Sequence, residues 1–159
     1  YQVTKKLGYG ANSTKTMVIG EHGLKMIAYA DVSSVGGVPL TQLIGKSDIE
    51  DIAVKTRDGG AEIVSHLKTS GFYAPGRAIA SMVEAILDDS KAVISSCVLL
   101  DGEYGFKDQT LGVPVVLGKD GAEKIIEMDL DSDTKKKIDE AAASIKESID
   151  ILKNEGFFA

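Results

Sequence analysis

Two histidines, His22 and His66, one cysteine, Cys97, and three alternating aspartates, Asp129, Asp131 and Asp133, are the first places to look for chemistry in this chain. His22 lies between Gly20 and Gly23, just after the apolar run 16–19, which reads as a strand entering a sharp turn. That placement presents an imidazole at the rim of a sheet, where a small molecule can reach it. An imidazole suits reversible proton exchange with an alcohol or a carbonyl near neutral pH. Spacing alone favours the plainer alternative, an exposed turn histidine. His66 stands beside Lys68 on what reads as a solvated helix face. Cys97, on an apolar strand, is expected to be a buried small hydrophobe, and Met17 and Met26 to be packing residues. The aspartates alternate like a calcium loop but lack its central glycine and later glutamate. They read as strand end, helix cap and first helical turn, so no metal site is expected.

The elements that would position these residues follow from periodicity. Ser47 can cap a helix in which Ile49, Ile52, Ala53 and Thr56 recur at helical spacing. Gly59-Gly60 interrupts it before Ile63, Val64 and Leu67. Each glycine costs roughly 1 kcal/mol against alanine, which predicts a kink. Pro75 suits the first position of the next helix, whose stripe is Ile79, Met82, Val83, Ile86 and Leu87. Strands are predicted at 92–100, 113–117 and 123–130, with tight turns at Asp101-Gly102 and Asp120-Gly121. Asp131 caps a last helix carrying Ile138, Ala142, Ile145, Ile149 and Leu152. Helices grouped around antiparallel strands make the fold class α+β, and residues 1–159 read as a single domain.

Composition narrows the functions further. The chain has 159 residues, 43% hydrophobic and 26% charged, with a formal net charge of −6, an ordinary globular balance. Its longest basic run, Lys135 to Lys137, reads as a solvated helix face. An acidic surface repels phosphate backbones and anionic lipid, so neither nucleic acid nor membrane is an expected partner. No apolar run is long enough to span a bilayer. One cysteine cannot form an internal disulfide, and a reduced cytoplasm is the expected compartment. A nucleotide-binding strand–G-x-G-x-x-G–helix unit is missing, and Gly10 to Thr16, which faintly resembles a phosphate loop, has Thr14 where that loop needs its second glycine and precedes a strand.

Several segments, taken in order, carry a family resemblance. Val18-Ile19-Gly20-Glu21-His22-Gly23 resembles the catalytic histidine segment of the lactate/malate dehydrogenase family. Val35-Gly36-Gly37-Val38-Pro39-Leu40 is similar to the element that follows it there. Thr56-Arg57-Asp58-Gly59-Gly60-Ala61-Glu62-Ile63-Val64 resembles the family's kinked helix, and Phe72-Tyr73-Ala74-Pro75 the start of the next. Leu100 to Asp108, with Gly102-Glu103-Tyr104-Gly105, looks like its hairpin, and Leu111-Gly112-Val113-Pro114-Val115 like the strand after it. The chain departs from the family at Leu24, where aspartate is usual, at Ala28, where proline is common, and at Arg77, where a small residue is usual.

The resemblance implies a lactate/malate dehydrogenase C-terminal-domain fold, antiparallel strands packed with long helices, closest to bacterial or archaeal malate-type members. It makes His22 the proton acceptor and donor, and places Gly71 on the wall of the substrate site, where lactate-type members use a threonine. The family's Asp-x-x-Arg element, which orients the histidine and grips the substrate carboxylate, falls before Tyr1 when counted back from His22. The implied cofactor is NAD, bound mainly by an N-terminal Rossmann domain that this chain does not contain. The implied substrate is a small 2-hydroxy or 2-oxo dicarboxylate, and the implied assembly a homodimer or homotetramer. Two alternatives stand beside this reading: half of an L-lactate dehydrogenase, or a non-catalytic assembly module.

Overall fold

The computed structural model describes residues 1–157. They form two compact units, Tyr1–Val18 with Ala28–Ser81, and Ile19–Ile27 with the chain from Met82 onward. In the first unit a short helix α1 (Gln2–Leu7) precedes strand β1 (Thr14–Gly20). Strand β2 (Met26–Val35) turns at Gly36-Gly37 into the two-residue β3 (Val38–Pro39), with Val35 opposite Val38. Both turn glycines have positive φ, 60° and 84°, as a two-residue hairpin turn of matching twist requires. The unit's core gathers Val3, Val35, Leu40 and Ile52, with Leu7, Ala30, Leu43 and Ile44 packed against them.

β2 explains why it does not stand out in the sequence. Ile27, Tyr29, Ser33 and Val35 are buried at even spacing, but Ser33 is polar and Asp31, on the same face, is exposed. Ser33 is tolerated because its hydroxyl donates to the Tyr29 carbonyl (2.7 Å) and accepts from the Met17 N–H (3.2 Å).

A four-residue turn of helix, α2 (Leu40–Leu43), leads to α3 (Lys46–Leu67). Gly45, not Ser47, is the N-cap, and no side chain bonds the first turn. Ser47 therefore lies inside the helix. One helix of 22 residues runs through both Gly59 and Gly60. Helix α4 (Tyr73–Leu87) starts two residues before Pro75. The proline still sits in the first turn, where its missing N–H has no helical partner to lose. Of α3 only Ile52 is buried, and of α4 only Ala85. The predicted stripe of α4 stays open, with Ile79 62% and Leu87 78% exposed.

The second unit has the denser core. Strands β4 (Ala92–Asp101) and β5 (Lys107–Gly118) pair antiparallel from Ala92 opposite Leu117 to Asp101 opposite Lys107. On the other edge of β5 lies β6 (Gly121–Ile125), and Gly20, the last residue of β1, pairs with Gly112. Helix α5 (Ser132–Asn154) packs on β5. Leu111, Val113 and Val115 of β5 and Ile138 and Ala141 of α5 are wholly buried; each large side chain so covered contributes about 1.5–3 kcal/mol.

Two predicted turns and one strand need correction. Asp101-Gly102 does not make a tight hairpin, because Tyr104 takes a left-handed backbone (φ 54°) in a short 3-10 turn. Its hydroxyl donates to the Ile126 carbonyl (2.7 Å) and accepts from the Met128 N–H (3.1 Å), while its own N–H donates to Glu127 (2.7 Å). Those bonds occupy the backbone that would have extended β6 to Leu130, so the strand stops at Ile125. In the second turn the tight pair is Lys119-Asp120, and Gly121 already belongs to β6. Cys97 is exposed rather than buried, because it falls on the outward side of β4. Lys135 also does more than face solvent: its ammonium stands 4.6 Å from the Phe106 ring centre and bonds the Tyr104 carbonyl and Asp139.

A clasp closes the turn after α4. Lys91 Nζ reaches both oxygens of Glu123 (2.7 Å each) and Asp89 (2.6 Å), and Asp89 accepts the Lys119 N–H (2.8 Å). The Lys91 ammonium, and then the Lys119 N–H, hold the Asp89 carboxyl below its usual range. Asp89 and Lys91 both adopt positive φ, 46° and 54°, a strain that the clasp offsets. A Cβ at Gly118 would overlap the two carboxylates.

Asp131 caps α5 as its sequence position predicts, accepting from the N–H groups of Asp133 (2.9 Å) and Thr134 (3.0 Å) and from the Thr134 hydroxyl (2.6 Å). The Thr134 hydroxyl, then its N–H, lower the Asp131 carboxyl below the ordinary range. A depressed carboxyl stabilises the fold fully above its unfolded range and loses that contribution as pH falls through the folded value. Asp131→Ala should therefore melt lower than the parent chain at neutral pH, and the gap should narrow on acidification through the carboxyl range. Thermal melts of both chains across that range check it; a gap independent of pH would remove the charged cap from the account.

Candidate active-site turn

His22 is carried by a turn that the second unit fixes at its entry. Gly20 takes φ 90°, and a Cβ there would meet the Lys25 carbonyl at 3.3 Å, the Ile27 side chain at 3.4 Å and the Ala141 methyl at 3.7 Å. Both its backbone angle and its surroundings demand glycine. Opposite it, a Cβ on Gly112 would stand 3.0 Å from the Gly20 carbonyl oxygen. Two glycines thus let β1 end directly against β5. The turn closes through the Met26 N–H on the Gly23 carbonyl (3.2 Å), and the Lys25 ammonium ties it to the Glu140 carbonyl of α5 (3.2 Å).

His22 itself is exposed, and among the described residues it makes no hydrogen bond or ion pair. An imidazole presented in this way has both ring nitrogens open to a ligand. Leu24, the departure from the family's aspartate, is 81% exposed and offers no charge to the ring. Beside the turn lies a groove of about 260 Å³ lined by Glu21, Thr110, Ser144, Ile145, Ser148 and Ile149, with Leu152 at its end. Hydroxyls, aliphatic carbons and one carboxylate therefore meet next to the histidine, a mixture that composition does not reveal.

Gly71 belongs to the first unit, just before α4. A Cβ at this position would lie 3.3 Å from Cγ2 of Ile63, so a larger residue must push the isoleucine aside. His66 is exposed on α3, as predicted. Among the described residues no three His, Cys, Asp or Glu side chains group to hold a metal ion. No helix among them is long and apolar enough to cross a membrane.

The strand into Gly20 and the glycine-bounded turn lie where residue types and spacing placed them, with His22 exposed on the turn. A family model described as lactate/malate dehydrogenase, alpha/beta C-terminal domain, matches residues 1–155. The chain belongs to the lactate/malate dehydrogenase family. It is similar to malate dehydrogenase of Sulfurimonas denitrificans, with 49% identity over 157 residues, covering 98% of this chain and 49% of that protein. Among solved structures, the malate dehydrogenase of Aeropyrum pernix superposes with a TM-score of 0.92 at 41% identity, covering 96% of this chain and 51% of that one. The lactate dehydrogenase of Eimeria maxima, solved with NADH and oxamate, gives 0.92 at 31% identity, over 99% of this chain and 50% of that one. The chain spans about half the length of the curated relatives it matches. The α+β arrangement of antiparallel strands and long helices is the family's C-terminal-domain fold.

Proposed function

We propose that this chain is the catalytic half of an NAD-dependent malate dehydrogenase, interconverting (S)-malate and oxaloacetate. The observation that carries the reading is His22, an exposed imidazole on a turn that two facing glycines fix in place. NAD, when bound, takes the hydride from the hydroxyl-bearing carbon of the substrate. His22 accepts the hydroxyl proton in that direction, and in reverse it polarises and then protonates the 2-oxo group. Gly71 forms part of the substrate wall. Its tight fit against Ile63 leaves little room for the threonine of lactate-type members, which supports a malate preference, as do relatives named malate dehydrogenase. A cytoplasmic setting accords with the exposed free thiol of Cys97.

In the full-length protein, His22→Asn should lower kcat by ~10²–10⁴-fold, the usual worth of a positioned acid/base, while NADH affinity changes little. Steady-state rates in both directions measure it; turnover near that of the parent would take His22 out of the mechanism.

The 159-residue chain has no glycine-rich nucleotide turn, and NAD is assigned mainly to the N-terminal Rossmann domain. The chain alone should therefore fail to bind NADH appreciably. Fluorescence titration decides this, and saturable binding at micromolar NADH would show that the cofactor site lies within these residues.

Self-association as a homodimer or homotetramer is assigned to α3 and its neighbours. Ile63, Val64 and Leu67, which share one side of α3, are all exposed, and an exposed apolar patch marks an interaction face. Sedimentation over a concentration range should show dimers or larger species; a strict monomer at high concentration would reject the interface.

A further inference from the structure

Two side-chain polar atoms among the described residues are buried without a hydrogen-bond partner, Glu21 Oε2 and Gln109 Oε1. Both are acceptors, and both lie beyond the Gly20–Gly112 pair, at the same end of β1 and β5. Thr110, the neighbour of Gln109, lines the same groove as Glu21. A buried acceptor without a donor is costly. An ionised glutamate only accepts, but a glutamine carries two amide donors, and its oxygen and nitrogen exchange places when the group turns over. Turned in this way, Gln109 carries a donor of the kind that Glu21 lacks.

The other Glu21 oxygen has a steric role. Oε1 lies 2.7 Å from where a Cβ on Gly23 would stand. Gly23 is not among the glycines with positive φ, so its backbone does not call for glycine. Its missing side chain is the space that the Glu21 carboxylate fills. Glu21 therefore precedes His22 in the chain and reaches the residue that follows it.

We propose that Glu21 is a positioning residue of the turn that carries His22, bonded inward to the Gln109 carboxamide and packed outward on Gly23. Held at both ends, it fixes the peptide units on either side of the histidine, beside whatever the other half of the protein supplies to the ring. The proposal deepens the malate dehydrogenase reading and rests on that reading for its kinetic consequence.

Four variants of the full-length protein, E21A, E21Q, G23A and E21A/G23A, test it with malate as substrate, thermal melts confirming that each is folded. E21A should lower kcat by ~10-fold or more, since small displacements of reacting groups are expensive. KM should stay within ~2-fold, the signature of an interaction used beyond substrate binding. E21Q, which keeps the shape and an acceptor, should recover most of the rate. G23A displaces the same carboxylate and should resemble E21A, and the double variant should be no slower than either, because coupled residues do not add. In the 159-residue chain, E21A should shift the side-chain amide NMR signals of Gln109. Multiplicative losses in the double variant, a kcat untouched by E21A, or Gln109 signals indifferent to E21A would each overturn the proposal. A parent protein that does not turn over malate would instead overturn the malate dehydrogenase reading, and the Gln109 signals would still decide the hydrogen bond.

Discussion

The meeting of Gly20 and Gly112 is the constraint on which the candidate site depends. A single methyl group on Gly112 would press into the Gly20 carbonyl at 3.0 Å, against backbone that has little freedom to retreat. β5 is anchored from both sides, by β4 and β6 in register and by α5 over its buried face. The end of β1 inherits that rigidity through one pair of residues. A histidine on an otherwise exposed turn is thus attached to the most fully buried strand of its unit.

The two units invest their apolar residues differently. In the second, β5 and α5 bury theirs almost completely, and the turns around them are locked by side chains such as Tyr104 and Asp131. In the first, a 22-residue helix buries one residue and leaves Val54, Ile63, Val64 and Leu67 open. Amphipathic helices derive most of their stability from the face they pack. α3 accordingly leaves apolar side chains uncovered among the described residues.

What could be read from the sequence follows physical range. Elements whose signals are local were legible: the strand into Gly20, the Asp131 cap, the run of β4, and the regular stripe of α5. The errors arose where a distant partner overrides local preference. Ser47 looked like a cap, but the chain enters α3 two residues earlier, at Gly45, with no side-chain oxygen capping it. β6 looked longer, but Tyr104 takes up its backbone from more than twenty positions away. β2 hid its alternation behind Asp31 and Ser33, and only the Met17 and Tyr29 backbone shows why a serine is accepted inside. For the site, His22 was legible through its flanking glycines and through family resemblance. The involvement of Glu21 was not, because its carboxylate acts across the turn and against β5.

The clasp of Asp89, Lys91 and Glu123 also bears on how this sequence can change over time. The ammonium of Lys91 and the bare Cα of Gly118 are two answers to one problem, how to bring two carboxylates together over a strand end. Neither answer works without the other. Replacing Lys91 alone leaves two negative charges facing each other, and adding a side chain at 118 alone drives them apart. The four positions are therefore expected to change together: related chains that have lost the lysine should also have lost a carboxylate.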